Sequence, residues 1–387
     1  MVIGKCGNGE GARVTGSRLP NRSGALVHEV LGMRLPILGA PMGGVAGPEL
    51  VAAVSSAGGL GVLGHANLPP AQVLAEIRQT RQLTGAPIGI GLLFPSGPRP
   101  ETSRAGGTAP PLPDFLRDLG PPDPSVSVVD DRTYDHDLAA ERLEIAIAEG
   151  VEVLTCGLGV PEAVVERAHR GGMKVVALVG SRKAALAAEA RGVDVIVAQG
   201  HEAGGHTGRT SSLVLWPQVA DAVRLPVVAA GGIGDGRGMA AALMLGAAGV
   251  LVGTRLLATP EARTAQSHKD HVVAMAEDDT VVSRTYTGKP SRVIRNRFTD
   301  AWKGHEDAVL PMPAQWEMVA PLVVPAKAAG SIELANWPTG QAAVLVPAEM
   351  PAAEVVRTMA AEAAALLQGA PGLAGRLAAE PTPVAAG

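Results

Sequence analysis

The chain has 387 residues, of which 47% are hydrophobic and 18% charged, so it can form one large domain or two ordinary ones and is not disordered throughout. Only nine residues are aromatic (3 Phe, 4 Trp and 2 Tyr), and 33 Lys and Arg against 37 Asp and Glu give a formal net charge of -4. This composition argues against nucleic acid as a ligand, because it offers neither a stacking surface nor a basic one.

Two distant cysteines, Cys6 and Cys156, provide neither a disulfide framework nor a metal-binding spacing, and they favour a reducing, cytoplasmic location. Residues 1–24 lack the apolar stretch of a signal peptide, and we interpret them as a disordered tail. The most apolar window, 239–252, is interrupted by glycines and is shorter than the roughly 20 residues that cross a bilayer. The sequence therefore predicts no membrane span.

From residue 36 to residue 254, short apolar runs alternate with longer segments rich in Ala, Leu, Arg and Glu. Continuously apolar runs are typical of parallel strands that are buried on both faces. Each run predicts one strand, and the eight runs are 36–41, 60–64, 88–94, 151–155, 174–179, 194–199, 226–230 and 249–253.

The segments between these runs predict helices, several of which begin at proline or end at glycine. They are 48–57, 70–83, 139–149, 161–170, 182–191, 213–223 and 236–245. An Ala-rich helix followed by glycine and an apolar strand recurs, which indicates a repeated βα unit. We therefore predict an α/β fold, a TIM (β/α)8 barrel, with a doubly wound open sheet as the alternative.

Two segments fall outside the repeat. The first is rich in Pro, Gly and Asp and interrupts the third unit as a long loop, where it could close over the site as a lid. The second predicts a smaller domain that caps the barrel. The predicted organisation is a disordered tail at 1–24, the barrel at 25–259 with its insertion at 95–137, the cap at 260–347, a returning helix at 348–369 and a disordered tail at 370–387.

The predicted seventh and eighth strands end in glycine-rich turns, with Gly231 and Gly232 after the seventh and Gly253 and Thr254 after the eighth. In a TIM barrel these two loops typically hold phosphate, and glycine lets backbone N–H groups approach it closely. We interpret the pair of loops as a phosphate site, whereas any one of these glycines alone fits a simple tight turn. Their spacing does not match GxGxxG, so a dinucleotide fingerprint is not supported.

His206 is the best general-base candidate among nine histidines. It follows Gly204 and Gly205 on a predicted loop after the sixth strand, and imidazole titrates near neutral pH. The alternative is a loop histidine with an ordinary hydrogen bond.

The other polar groups are weaker candidates. His201 and His206 are not spaced as a helical metal pair. His268 and His271 share a helix face that we interpret as solvated, because no carboxylate or thiolate accompanies them. The loop from Pro41 to Gly43 closes the first strand, where proline fixes the backbone, Met42 offers a flexible apolar wall and glycine permits close approach of a flat ligand; a plain βα turn explains it equally well.

Four motifs resemble the nitronate monooxygenase family, formerly called 2-nitropropane dioxygenases. They are PILGAPMGG at 36–44, AQGHEAGGHTG at 198–208, AAGGIGDGR at 229–237 and GVLVGT at 249–254, with looser similarity at 287–296 and at Gly340-Gln341. The histidine motif is the most specific of them. The others are shared with related FMN barrels, including enoyl-acyl-carrier-protein reductase II.

The resemblance implies an FMN-dependent, metal-free oxidase of nitronates on a TIM barrel with a second domain. It implies a catalytic base at His206, isoalloxazine contacts at Pro41, Met42 and Gly43, a contact to the polar edge of the ring at Gln199, positions beside the ring for Gly204 and Gly205, and phosphate contacts at Gly231, Gly232, Gly253 and Thr254. The family commonly has GVNLF at its third strand, whereas this chain has Gly91 in place of the Asn. A polar contact to flavin is therefore missing or supplied elsewhere.

The expected reaction is oxidation of alkyl nitronates, and of nitroalkanes after deprotonation, by dioxygen to a carbonyl compound and nitrite. One alternative is an NAD(P)H-dependent FMN reductase that acts on a quinone or an enoyl thioester. Another is an FMN-binding protein without catalysis. The expected partners are a small nitronate or nitro substrate and dioxygen, with no nucleic acid and no membrane, and a homodimer is left open.

Overall fold

The computed structural model describes residues 26–65, 68–94, 110–126 and 136–378. Within these ranges the strands are β1 (Ile37–Gly39), β2 (Gly61–Gly64), β3 (Ile88–Leu93), β4 (Val153–Gly157), β5 (Lys174–Val179), β6 (Val195–Gln199), β7 (Gly205–His206), β8 (Val227–Ala230), β9 (Gly249–Val252), β10 (Thr280–Ser283) and β11 (Ser291–Ile294). The α-helices are α1 (Val27–Leu31), α2 (Pro48–Ser56), α3 (Pro70–Leu83), α4 (His136–Ala148), α5 (Glu162–Arg170), α6 (Arg182–Ala190), α7 (Ser212–Ala220), α8 (Gly236–Met244), α9 (Thr254–Leu257), α10 (Gln266–Val273), α11 (Arg297–Ala301), α12 (Ala314–Ala328) and α13 (Ala352–Ala378).

Eight strands form one parallel sheet in the order β1-β9-β8-β6-β5-β4-β3-β2. The two ends of this sheet meet, because Leu38 forms a parallel bridge with Leu60 and the Gly39 amide donates to the Leu60 carbonyl at 2.8 Å. The sheet is therefore a closed barrel, so the TIM-barrel prediction is confirmed and the open-sheet alternative is wrong. Every predicted apolar run overlaps one barrel strand, although β4 begins and ends two residues later than predicted. The predicted seventh and eighth strands are β8 and β9.

The seven predicted helices are α2 to α8, which surround the barrel. Two of them begin at side-chain caps that satisfy free amides of the first turn. Ser181 accepts a hydrogen bond from the Ala184 amide at the start of α6, and Asp235 accepts from the amides of Arg237 and Gly238 at the start of α8. These caps fix where each helix begins and therefore where the preceding βα loop ends.

Side chains alternate along each barrel strand between the helices and the barrel interior. In β4, Leu154 and Cys156 pack in the layer between sheet and helices, whereas Val153 packs inside the barrel. The interior is filled by aliphatic side chains, including Val176, Val197 and Val228. The barrel is therefore a solid core, and a ligand can bind only above its last inward-facing layer.

A second, three-stranded antiparallel sheet has the order β10-β11-β7 and lies in the cap. Strand β7 comes from the barrel part of the sequence, and His206 pairs with Ser291 of β11. The expected loop around His206 is thus wrong in one respect, since the histidine lies on a short strand. This pairing also means that the cap does not correspond to residues 260–347 alone.

The described part of the predicted insertion, residues 110–126, packs against the cap. Its 3-10 helix Asp114–Leu119 buries Leu116 in a cluster with Tyr286 and Phe298, and Phe115 stacks on His305 with ring centroids 4.0 Å apart. The other residues between 95 and 135 lie outside the described ranges.

Helix α13 returns the chain to the barrel and packs against α8 and α2. The Glu362 carboxylate accepts from the Gly236 amide at 2.9 Å, which ties α13 to the start of α8. The helix continues to Ala378, so residues 370–378, which were predicted to begin a disordered tail, are helical. None of the described helices combines the length and the apolar character that a bilayer span requires.

Candidate active site

A cavity of about 870 Å³ lies at the carboxyl ends of the barrel strands, beneath the cap. This volume is within the usual range for a small-molecule or cofactor site. The last inward-facing residues of the barrel form its floor: Ala40, Gly91, Thr155, Leu178, Gln199, Ala230 and Leu251. All eleven residues that the sequence singled out line this one cavity: Pro41, Met42, Gly43, Gln199, Gly204, Gly205, His206, Gly231, Gly232, Gly253 and Thr254. Their individual roles stay predictions.

The loop after β1 lies directly over the end of β3, where there is no side chain in its way. A Cβ atom on Gly91 would come within 2.3 Å of the Pro41 Cβ, so Pro41 fills the space that a side chain at position 91 would need. Gly64 likewise admits the Met42 carbonyl, which would lie 2.3 Å from an added Cβ. Glycines in β2 and β3 therefore allow the loop after β1 to pack directly against the ends of these two strands.

The glycine loops after β8 and β9 form a cradle of the kind that phosphate needs. Gly231 and Gly232 have φ angles of +95° and +73°, which residues with a side chain rarely adopt. Next to them, the Thr254 hydroxyl oxygen accepts from the Gly340 amide at 2.9 Å, so its own hydrogen is left to donate to another group. Because the Thr254 hydroxyl can donate and the neighbouring glycines carry no Cβ atoms, this pair of loops fits a phosphate.

Strand β7 holds His206 against the cap, where its Nε2 lies 3.1 Å from the Thr287 hydroxyl oxygen. The Thr287 hydroxyl oxygen also lies 3.2 Å from the Lys289 carbonyl. Its single hydrogen can donate either to that carbonyl or to His206 Nε2, so the contact is compatible with both tautomers of the neutral ring. Burial and the nearby Lys289 ammonium lower the pKa of His206 to about 4, so the ring is neutral at pH 7.

Gln199 links the barrel floor to the histidine strand. Its Nε2 donates to the His206 backbone carbonyl at 2.7 Å. The side chain therefore holds β7 in place and keeps its carbonyl oxygen and a second amide hydrogen for other partners.

His268 was missed as a site residue, and the prediction of a solvated face for His268 and His271 is wrong. The His268 ring is 1% exposed, lines the cavity and packs on Trp337 with ring centroids 4.6 Å apart. Its Nδ1 and Nε2 contact the hydroxyl groups of Thr264 and Thr339 at 2.8 and 2.9 Å.

Burial lowers the pKa of His268 to about 3, helped by the nearby charges of Lys327 and His271. In His271 the Nε2 atom is buried and has no hydrogen-bond partner among the described residues. His268 is thus buried and His271 half-buried, because the segment before residue 337 folds over α10, which no local pattern reveals.

The cavity wall is cationic. Arg209, Lys289 and Lys327 line it, and none of the described lining residues is an Asp or Glu. Burial lowers the pKa of Lys327, whose ammonium lies 5.1 Å from the centre of the Trp337 ring. A cavity with this charge favours anionic ligands.

Comparison with known proteins agrees with these features. The family model described as nitronate monooxygenase matches residues 25–362. The chain belongs to the nitronate monooxygenase family. A probable nitronate monooxygenase of Staphylococcus aureus (strain JH9) is 33% identical over 324 residues, which cover 81% of this chain and 90% of that protein.

Solved structures give the same picture. Nitroalkane oxidase from Streptomyces ansochromogenes has a TM-score of 0.76 at 32% identity and covers 89% of this chain and 99% of its own. FabK from Thermotoga maritima has a TM-score of 0.74 at 31% identity and covers 90% and 98%. The family that the motifs resemble is thereby confirmed, and the chain is an oxidoreductase of that family.

Proposed function

We propose that this chain uses FMN to oxidise alkyl nitronates with dioxygen, yielding a carbonyl compound and nitrite. One observation carries the proposal: a single cavity joins a glycine cradle fit for phosphate to a neutral histidine and a cationic wall without carboxylates among its described residues. Membership of the nitronate monooxygenase family supports it.

In this proposal the chain holds FMN by its two ends. Gly231, Gly232, Gly253 and Thr254 bind the phosphate through amide and hydroxyl donors, as expected where glycine backbones can approach closely. Pro41, Met42 and Gly43 contact the ring from the β1 side, Gly204 and Gly205 lie beside it, and Gln199 meets its polar edge. Bound FMN supplies the redox capacity for the reaction.

The cap side binds and orients the substrate. Lys289 and Lys327, which line the cavity, attract the nitronate anion. His206 accepts the α-proton when a neutral nitroalkane binds. Since its pKa is about 4, it is a weak base for such an acid, and preformed nitronates are therefore the better substrates.

Mixing the purified protein anaerobically with a nitronate tests this function. We expect FMN-dependent absorbance that bleaches with the nitronate and recovers when dioxygen is admitted, with nitrite released. A preparation that binds no FMN, or whose flavin absorbance is unchanged by every nitronate in a small panel, would contradict the proposal.

An NAD(P)H-dependent reductase is the second candidate. Because the chain resembles FabK about as closely as it resembles nitroalkane oxidase, overall similarity does not choose between the two activities. The same anaerobic experiment with NADPH in place of the nitronate decides between them by which compound bleaches the flavin. A flavin that responds to neither donor would favour a binding protein without catalysis.

A further inference from the structure

The floor of the cavity contains one hydroxyl group without a partner. Thr155 is 1% exposed, lies in β4 and lines the cavity, and no described residue offers its Oγ1 a hydrogen bond. A buried hydroxyl that loses its hydrogen bonds to water and gains none costs free energy. Such a group in a binding cavity indicates a ligand atom as its partner.

The register of the barrel explains why its neighbours cannot satisfy this hydroxyl. Thr155 pairs with Gly91 on one side and with Val176 on the other, and neither has a polar side chain. The Pro41 ring occupies the space above Gly91 and carries no donor there. The backbone N–H and C=O groups of these strands point along the sheet into the barrel hydrogen bonds.

Most of the floor around Thr155 is aliphatic. Leu178 follows on the next strand, and Ala230 and Leu251 lie further along the sheet. The other polar floor residue is Gln199, between Leu178 and Ala230, whose Nε2 already donates to the His206 carbonyl. A mostly aliphatic floor with few polar groups suits a flat heteroaromatic ring, which needs apolar contact on its face and a few fixed polar contacts at its edge. The hydroxyl rotates freely, so it can donate to a ring carbonyl or accept from a ring N–H.

We infer that Thr155 is a flavin-binding residue, whose hydroxyl forms a hydrogen bond with a polar atom of the isoalloxazine ring. The inference rests on the proposed function, since it requires FMN in this cavity. Gly91 has no side chain that could contact the flavin. Thr155, which pairs with Gly91 in the neighbouring strand, would supply a polar contact from the same layer of the barrel floor.

The test compares Thr155→Val, which keeps the shape of the side chain and removes the hydroxyl, with Thr155→Ser, which keeps the hydroxyl. FMN and riboflavin are titrated into each apoprotein, and the thermal stability of each apoprotein is measured. We expect Thr155→Val to weaken both flavins equally, by about threefold to tenfold, because the lost contact is to the ring and not to the phosphate. Thr155→Ser should bind both within about twofold of the wild type.

The stability of the apoprotein is a second readout, and it is expected not to fall when flavin affinity does. Removing a hydroxyl that has no partner should leave the apoprotein of Thr155→Val at least as stable as the wild type, while flavin affinity falls. Thr155→Ala provides a further variant without the hydroxyl and should also bind both flavins more weakly.

Three results would overturn the inference. They are unchanged flavin affinity in Thr155→Val and Thr155→Ala, loss of FMN affinity with riboflavin unaffected, and an apoprotein of Thr155→Val that is clearly less stable than the wild type. A wild-type protein that binds no flavin would instead overturn the proposed function, so the two failures are distinguishable.

Discussion

The barrel side and the cap side of the cavity present different chemical groups. The barrel side presents backbone and small or aliphatic side chains, such as Gly231, Gly253 and Leu178. The cap side presents titratable side chains, among them Lys289 and His268. Holding a planar cofactor requires close approach and free amides, whereas recognising an anion and moving a proton require side chains with charge or basicity. We therefore expect barrel substitutions to change flavin affinity and cap substitutions to change turnover.

His206→Asn gives the largest effect, and it belongs to the cap side. Loss of a positioned base is expected to lower kcat/KM for neutral nitroalkanes by about 10²- to 10⁴-fold, while preformed nitronates lose far less because their proton is already gone. FMN affinity should stay near that of the wild type. Steady-state kinetics on a nitroalkane and its own nitronate measure the split, and an equal loss on both would leave His206 a binding role only.

Thr254→Val tests the barrel side at the phosphate. The Thr254 hydroxyl accepts from the Gly340 amide and has its hydrogen left to donate, and a hydrogen bond to a charged group is worth about 1.5–3 kcal/mol. We expect FMN affinity to fall by roughly tenfold to a hundredfold with riboflavin affinity unchanged. Titration of both flavins measures this, and parallel losses would mean that Thr254 does not contact the phosphate.

Gly91→Ala tests the contact between the β1 loop and the end of β3. The added methyl group would lie 2.3 Å from the Pro41 Cβ, so the loop must move or the fold must lose about 1–3 kcal/mol. We expect a lower midpoint of denaturation and weaker FMN binding. Gly85→Ala is the matched control, because a Cβ there meets nothing within 4 Å. If the two variants have the same midpoint of denaturation and the same FMN affinity, the position of Pro41 does not require glycine at position 91.

The barrel could be predicted from sequence because its information is local. A strand buried on both faces is a continuous apolar run, and glycine after β8 and β9 predicts phosphate loops without any knowledge of the cap. The sequence also showed that Gly91 stands where the family commonly has Asn. It did not show the reason, which is that Pro41 from another βα unit packs against this position.

The cap could be predicted less well, because its site residues depend on contacts that are distant in sequence. Strand β7 has two residues and exists only through its pairing with β11. His268 lies among polar residues of α10 and looks exposed until Trp337 covers it from 69 positions later. Thr155 shows a related limit on the barrel side, since a missing hydrogen-bond partner is visible only in three dimensions.

A pH dependence of stability is also expected to arise at the cap. In the folded state the pKa of His268 is lowered to about 3, by burial and by Lys327 and His271. Between its unfolded value near 6.5 and that folded value, the unfolded chain takes up a proton that the folded chain does not. Stability therefore falls as the pH drops through this window, by about 1.4 kcal/mol per pH unit at most.

His206 contributes with the same sign down to about pH 4, so His268→Gln should flatten the decline without abolishing it. Denaturant unfolding from pH 7 to pH 4 measures the slope, and His305→Gln, at an exposed residue whose ring stacks on Phe115, is the control for loss of a histidine as such. A slope that is the same in His268→Gln and in the wild type would mean that this ring takes up its proton over the same pH range in the folded cap as in the unfolded chain. The cavity would then gain a cation at acidic pH that the burial of this ring does not predict.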